Sequence, residues 1–233
     1  MSLSRNEFNE QVTTFADDVS KAIGALKDGS GVPVDAELAS ADSRLRAVVN
    51  AKVSLSPRSA PGDCLAELGV EYKLCVDSFS RWLAVEHSSF VLKAKLDRTP
   101  IIRWDYDRKP NNKPSLHVQI TAHRGALSHI LSKLDHDAPH SIESLHLPMG
   151  GDRFRPCLED IIEFLITECG FPGGDNWRAI VRDGRAKWRR IQTRVAVRDS
   201  PATAVAALEA MGYVVTPPAD DEPSERTERL TGW

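Results

Sequence analysis

Residues 100–123, PIIRWDYDRKPNNKPSLHVQITAH, constrain the fold more than any other part of the chain. Two runs of alternating apolar and polar residues flank a turn rich in proline and asparagine, the pattern of a half-buried hairpin. Successive side chains of a strand point to opposite faces. Pairing Asp107 with Ser115 therefore sets Ile102, Trp104 and Tyr106 against Ile120, Val118 and Leu116. On the other face Asp105 meets His117 and Arg103 meets Gln119. A slip of one residue would mix the two faces, so the register is well specified.

Upstream, GVEYKLCVDSF alternates in the same way at Val70, Tyr72, Leu74 and Val76. RWLAVE and FVLKAKL predict two more strands joined by an HSS turn, giving an antiparallel meander over about 68–122. Leu127, Ile130, Leu131 and Leu134 suggest a short amphipathic helix, and SIESLHLPM (141–149) a last strand. The chain then turns helical over about 155–212. Pro156 suits a first turn, and Leu158, Ile161, Ile162 and Leu165 form a core stripe. FPGGD breaks that helix and Asp175 can cap the next; Ser200–Pro201 opens another, closed by Gly212.

At the N-terminus, Ser4 and Glu7 have capping-box spacing, with Leu3 and Phe8 as a hydrophobic staple. Phe8, Val12, Phe15, Val19, Ala22 and Leu26 form one helical stripe ended by Gly29. Leu38, Ala41, Leu45 and Val48 predict a second helix from Asp35 to Asn50. SLSPRSAPGD (54–63) has linker composition. The expected fold is α+β: an antiparallel β-meander packed against C-terminal helices, with an N-terminal helical pair. The expected divisions are a helical region over 1–53, an α+β domain over 64–215 and a disordered acidic tail over 216–233.

A net charge of −3 and a pI near 6.2 exclude global attraction to nucleic acid or membrane, so an anionic partner must be met by a local patch. No run approaches the length of a membrane span and MSLSRNEFNE lacks a signal-peptide core, which predicts a cytoplasmic protein with no membrane partner. Cys64, Cys75, Cys157 and Cys169 form no CxxC pair and are expected as reduced thiols. No metal-ligand spacing such as HExxH and no cofactor motif is present.

The polar hairpin face is the candidate catalytic site. Asp105 beside His117 would fix its tautomer and raise its basicity, as a general base requires. Arg103 would hold a phosphate, and His146 reaches the same face if the 141–149 strand joins the sheet. In GGDRFRP (150–156), Arg153 and Arg155 precede a helix and suit an anion. From Arg178 to Arg198 there are eight Arg or Lys and one acid, Asp183. Trp177, Val181, Gly184, Trp188, Ile191 and Val195 form the buried stripe. Arg178, Arg182, Arg185 and Arg189 flank it on one side, a distribution suited to nucleic acid or an acidic protein.

RWDYD, SLHVQ and RFRPCLEDIIEFLI occur in the order seen in the TumE-like family of bacterial toxin–antitoxin toxins, which residues 100–168 resemble. That family is of small α+β proteins, and the likeness maps an HxH-type strand onto His117 and Gln119, so glutamine stands at the second histidine position. Two functional expectations follow. The first is an intracellular bacterial effector of toxin or phage-defence type acting on RNA or nucleotides, with His117 as base and Asp105 as its orienter. The second is a non-catalytic module that contacts an acidic protein or nucleic acid through the basic helix 178–198. The N-terminal helices would also serve as a homodimer seam.

Overall fold

The computed structural model describes residues 3–39, 45–96, 99–110, 113–121, 137–138, 140–141, 147–148, 155–219 and 223–232. Helix α1 (Arg5–Ile23) starts as its sequence requires. Ser4 Oγ accepts from Glu7 N–H at 3.3 Å, and Glu7 Oε2 accepts from Ser4 N–H at 2.8 Å, closing the capping box. Phe8, Val12, Val19, Ala22 and Ile23 are buried along one face. The helix stops at Ile23, capped by Gly24, earlier than the stripe to Leu26 suggests. A β-carbon on Gly29 would collide with the Ile23 carbonyl, so glycine permits the chain to fold back there.

Among the described residues, seven strands form one antiparallel sheet in sequence order: β1 (Asp35–Ala39), β2 (Arg46–Leu55), β3 (Ala66–Val76), β4 (Leu83–Ala94), β5 (Pro100–Asp107), β6 (Leu116–Ile120) and β7 (Leu147–Pro148). The α+β class and the meander stand as expected. The second N-terminal helix does not. Asp35–Ala39 form β1 and 46–50 the first half of β2, so the described part of 1–53 holds one α-helix, a single 3-10 turn at Lys27–Gly29 and two strands. The reason is that Ala47, Val49, Ala51, Val53 and Leu55 alternate inward over ten residues. That longer period-2 pattern, rich in valine, outweighs four positions at helical spacing.

Likewise 54–63 is the end of β2 and its turn into β3, two strands paired along their whole length from Arg46↔Cys75 to Leu55↔Ala66. The HSS segment is the middle of β4, not a turn. Ser88 points inward and is buried, between the positions of Tyr72 and Tyr106 in the ladder. The true turn is Asp77–Trp82, where Asp77 Oδ1 accepts from Arg81 N–H at 2.9 Å and Trp82 N–H at 3.1 Å. A bulge at Glu86 accommodates the length of β4. The helix expected at 127–134 lies outside the described residues, and only Leu147 and Pro148 of the expected last strand are described.

The inner sheet face is covered by α1, α2 (Leu158–Thr167) and α3 (Trp177–Asp199), followed by α4 (Pro201–Ala210) and a short α5 (Thr227–Leu230). Leu158, Ile161, Ile162 and Leu165 are all buried, as the spacing predicts. Trp104 meets Phe164 edge-on at 5.8 Å, and Tyr72 meets Phe15 at 4.9 Å and Phe90 at 5.4 Å. The tail departs from expectation. α5 lies within it, and Arg226 N–H donates to the Asp199 carbonyl at 2.9 Å. No described helix is long and apolar enough to cross a membrane.

Candidate functional site

Strand register brings the hairpin cluster together as read from the sequence: Asp105↔His117, Arg103↔Gln119, Trp104↔Val118 and Tyr106↔Leu116. Its setting is different from a solvated face. Asp105 is 3% exposed and His117 1%, which decides their availability to a substrate. Asp105 is held from three strands. Ser89 Oγ on β4 donates to Oδ1 at 2.6 Å, Arg103 Nη2 on β5 lies 2.9 Å from Oδ2, and His117 Nε2 on β6 lies 3.8 Å from Oδ2.

The histidine tautomer follows from its other contact. His117 Nδ1 is 3.1 Å from the Pro114 carbonyl, which only accepts, so Nδ1 carries the proton. Both ring nitrogens are thus directed at protein groups. Ser89 Oγ and Arg103 give Asp105 charge-assisted contacts that tie β4 to β5 in a dry setting, while His117 on β6 packs beside the carboxylate at 3.8 Å, beyond hydrogen-bond reach. Arg103, with its side chain 43% exposed, faces solvent. His146 and Arg153 lie outside the described residues.

Arg155, expected as an anion contact, is turned inward and buried. Its guanidinium sits 3.9 Å from the Tyr106 ring centroid and 4.7 Å from that of Trp188, so it bridges the sheet and α3. A planar cation between two aromatic faces is spent on packing.

On α3 the four flanking arginines divide. Arg185 is half-buried; its Nε lies 2.6 Å from Asp160 Oδ1 and its Nη2 pairs with Glu163. Arg178, Arg182 and Arg189 are exposed, with Arg182 against Asp183 and Arg178 above Trp177. Arg190 and Arg194 are exposed as well. The stripe beneath is buried at Trp177 and Val181 and becomes exposed at Ile191.

A further feature had no motif to announce it. A groove of about 350 Å³ opens between α1 and α3, with Phe15, Val19 and Ala22 on one wall and Ile180, Gly184 and Trp188 on the other. Tyr72 lies at its floor and Cys157 and Glu159, from the start of α2, close one end. Burial pushes the Glu159 carboxyl, the Cys157 thiol and the Tyr72 hydroxyl above their ordinary values. The sequence signal was Gly184, a helix-interior glycine costing about 1 kcal/mol relative to alanine.

Comparison with family models, curated proteins and solved structures gives no significant match. The likeness to TumE-like toxins therefore rests on the quoted residues alone.

Proposed function

We propose that the chain is a non-catalytic binding module that engages a nucleic-acid backbone through the outer surface of α3. The observation that carries this reading is the solvent-facing set Arg178, Arg182, Arg189, Arg190 and Arg194 on one 23-residue helix. Guanidinium groups match phosphate oxygens in geometry and keep their charge at any working pH. The catalytic reading, with an RNA- or nucleotide-directed effector using His117 as base, ranks second. A general base needs hydrogen-bond reach to a substrate proton, and His117 is enclosed by Pro114 and Asp105.

The test is fluorescence anisotropy of a labelled single-stranded RNA across a salt series. Each neutralised phosphate contributes roughly 0.7–0.9 to the slope of log affinity against log salt. Three engaged arginines give a slope of about −2 to −3 on that basis. Reversing Arg182 and Arg189 to Glu should remove most of it. Absence of binding above background at low salt ends the proposal, and equal competition by polyglutamate redirects it to an acidic protein partner.

A further inference from the structure

The groove between α1 and α3 opens on the side of α3 opposite Arg178, Arg182 and Arg189. We propose that it binds a small amphipathic cation, an aryl- or alkylammonium, with the Glu159 carboxylate as counter-charge and Phe15, Tyr72 and Trp188 around its apolar part.

Size comes first. A volume of about 350 Å³ falls in the range of small-ligand pockets. The lining combines apolar walls and three aromatic rings with five charged side chains, Asp18, Lys21, Glu159, Asp183 and Lys187. Such a lining suits a hydrocarbon body with one polar head.

The charge of the head follows from what is already paired. Lys187 and Asp18 form an ion pair from α3 to α1 along the groove. Asp183 is held by Arg182 Nε at 2.9 Å. Arg185, on the next turn of α3 towards α2, is committed to Asp160 and Glu163. Glu159, half-buried at the inner end, is hydrogen-bonded by the Cys157 thiol and its own backbone N–H. Among the described residues neither it nor Lys21, the remaining charged residue on the lining, forms an ion pair within 4 Å. A half-buried carboxylate that stays ionised gains more from a partner cation than an exposed one, because water screens the pair less.

Position 184 shows that the carboxylate is accommodated by design of the sequence. A β-carbon there would overlap the Glu159 Oε1 and Cδ atoms. The glycine weakens α3 locally, and what occupies the vacated volume is the Glu159 carboxylate, a charged group on the groove lining, rather than a core side chain. Aromatic rings beside that charge add cation–π attraction for an ammonium and none for an anion.

The experiment titrates the full chain with three probes of similar shape: phenethylammonium, 2-phenylethanol and 3-phenylpropionate. The Gly184 amide and Trp188 indole are followed by NMR. Phenethylammonium should bind about tenfold or more tighter than the alcohol, since a charge-assisted hydrogen bond separates them. Phenylpropionate should bind weakest. In Glu159→Gln the ammonium should fall to the affinity of the alcohol, while the alcohol, whose retained binding shows the groove is intact, keeps its own. Should that variant fail to fold, Glu159→Asp, which withdraws the charge by one methylene, should lower the selectivity instead. Equal affinity for ammonium and alcohol in the native chain overturns the proposal, as does selectivity that survives Glu159→Gln, or no saturable shift at Gly184. None of these outcomes depends on RNA binding by the opposite surface of α3.

Discussion

His117 Nε2 stands 3.8 Å from Asp105 Oδ2 across the β5–β6 pair, both side chains sealed from solvent. Removing Asp105 takes away the carboxylate that Ser89, Arg103 and His117 share. Asp105→Ala should therefore lower stability by about 2–4 kcal/mol, read as a shifted midpoint in urea. His117→Ala should cost somewhat less, since it leaves the Ser89 and Arg103 contacts in place. Anisotropy with RNA at a temperature where both variants are folded should match the native chain. A stable His117→Ala protein that loses an activity would return this pair to the catalytic reading.

Arg155 tests whether a buried cation can be replaced by charge alone. Lysine keeps the charge but has no planar face to lie between Tyr106 and Trp188. Arg155→Lys should lower stability by about 1–2 kcal/mol, or roughly 2–8 °C in melting temperature for a chain of this size. Trp188 emission should shift as its ring loses the guanidinium cover. An unchanged melting temperature would show that the stacked geometry contributes nothing.

Gly184→Ala reverses a common rule. In most helix interiors this change stabilises by about 1 kcal/mol, yet here the new methyl group meets the Glu159 carboxylate. The single change should destabilise, and Glu159→Ala in the same chain should restore the ordinary benefit. A double-mutant cycle with coupling of about 1 kcal/mol or more expresses that contact. Additive effects would mean that Glu159 simply swings aside.

The legible and illegible parts of the molecule separate on physical grounds. The 102–120 register was readable because two faces differ sharply and a slip mixes them. The start of α1 was readable because capping is local. Residues 35–50 misled because Leu38, Ala41, Leu45 and Val48 satisfy a helical period by chance, whereas the true alternation runs on to Leu55. The HSS segment misled because serine is a turn residue by propensity, while the positions of Ser88 and Ser89 are set by contacts with other strands. At the candidate site, adjacency of Asp105 and His117 was readable from alternation; their burial was not, because it depends on the tertiary fold. The same limit hid Arg155 and the groove, whose residues come from four elements far apart in sequence.

Glu159 also makes stability depend on pH. Burial is the main cause of its raised carboxyl value; Asp160 adds to it and Arg185 opposes it. A raised folded value means the folded chain binds more protons than the unfolded one between the ordinary range, near 4.5, and the raised value. Stability contributed by this group therefore falls as pH rises through that window. Glu159→Gln should gain on the native chain as pH increases across it and hold a constant difference above it. Cys157, Asp160, Asp183 and Arg185 are unchanged in this comparison, so the difference curve isolates the carboxyl. Parallel curves would refute the assignment.

The tail supplies the last test, because its sequence and its contacts point in different directions. Residues 216–233 carry five acids and two arginines, a composition suited to shielding a basic helix. The contacts of its described residues lie elsewhere. Arg226 sits 4.4 Å from the Phe79 ring with its Nη1 4.0 Å from Asp199 Oδ1, and Glu225 accepts from Ser200 Oγ at 3.0 Å. This anchors the tail to the last turn of α3 and to the turn between β3 and β4, where Arg198 also faces Asp77 at 3.8 Å. Asp199 lies about 15 Å along the helix axis from Arg189 at 1.5 Å per residue, beyond the screening length of about 8 Å at physiological salt. Deleting 216–233 should thus leave RNA affinity and its salt slope nearly unchanged. It should lower stability by about 1–2 kcal/mol, by uncovering Phe79 and removing the cation beside buried Asp199. Arg226→Ala alone should reproduce most of that loss. A tenfold gain in RNA affinity on deletion would instead show that the acids compete for the arginines of α3.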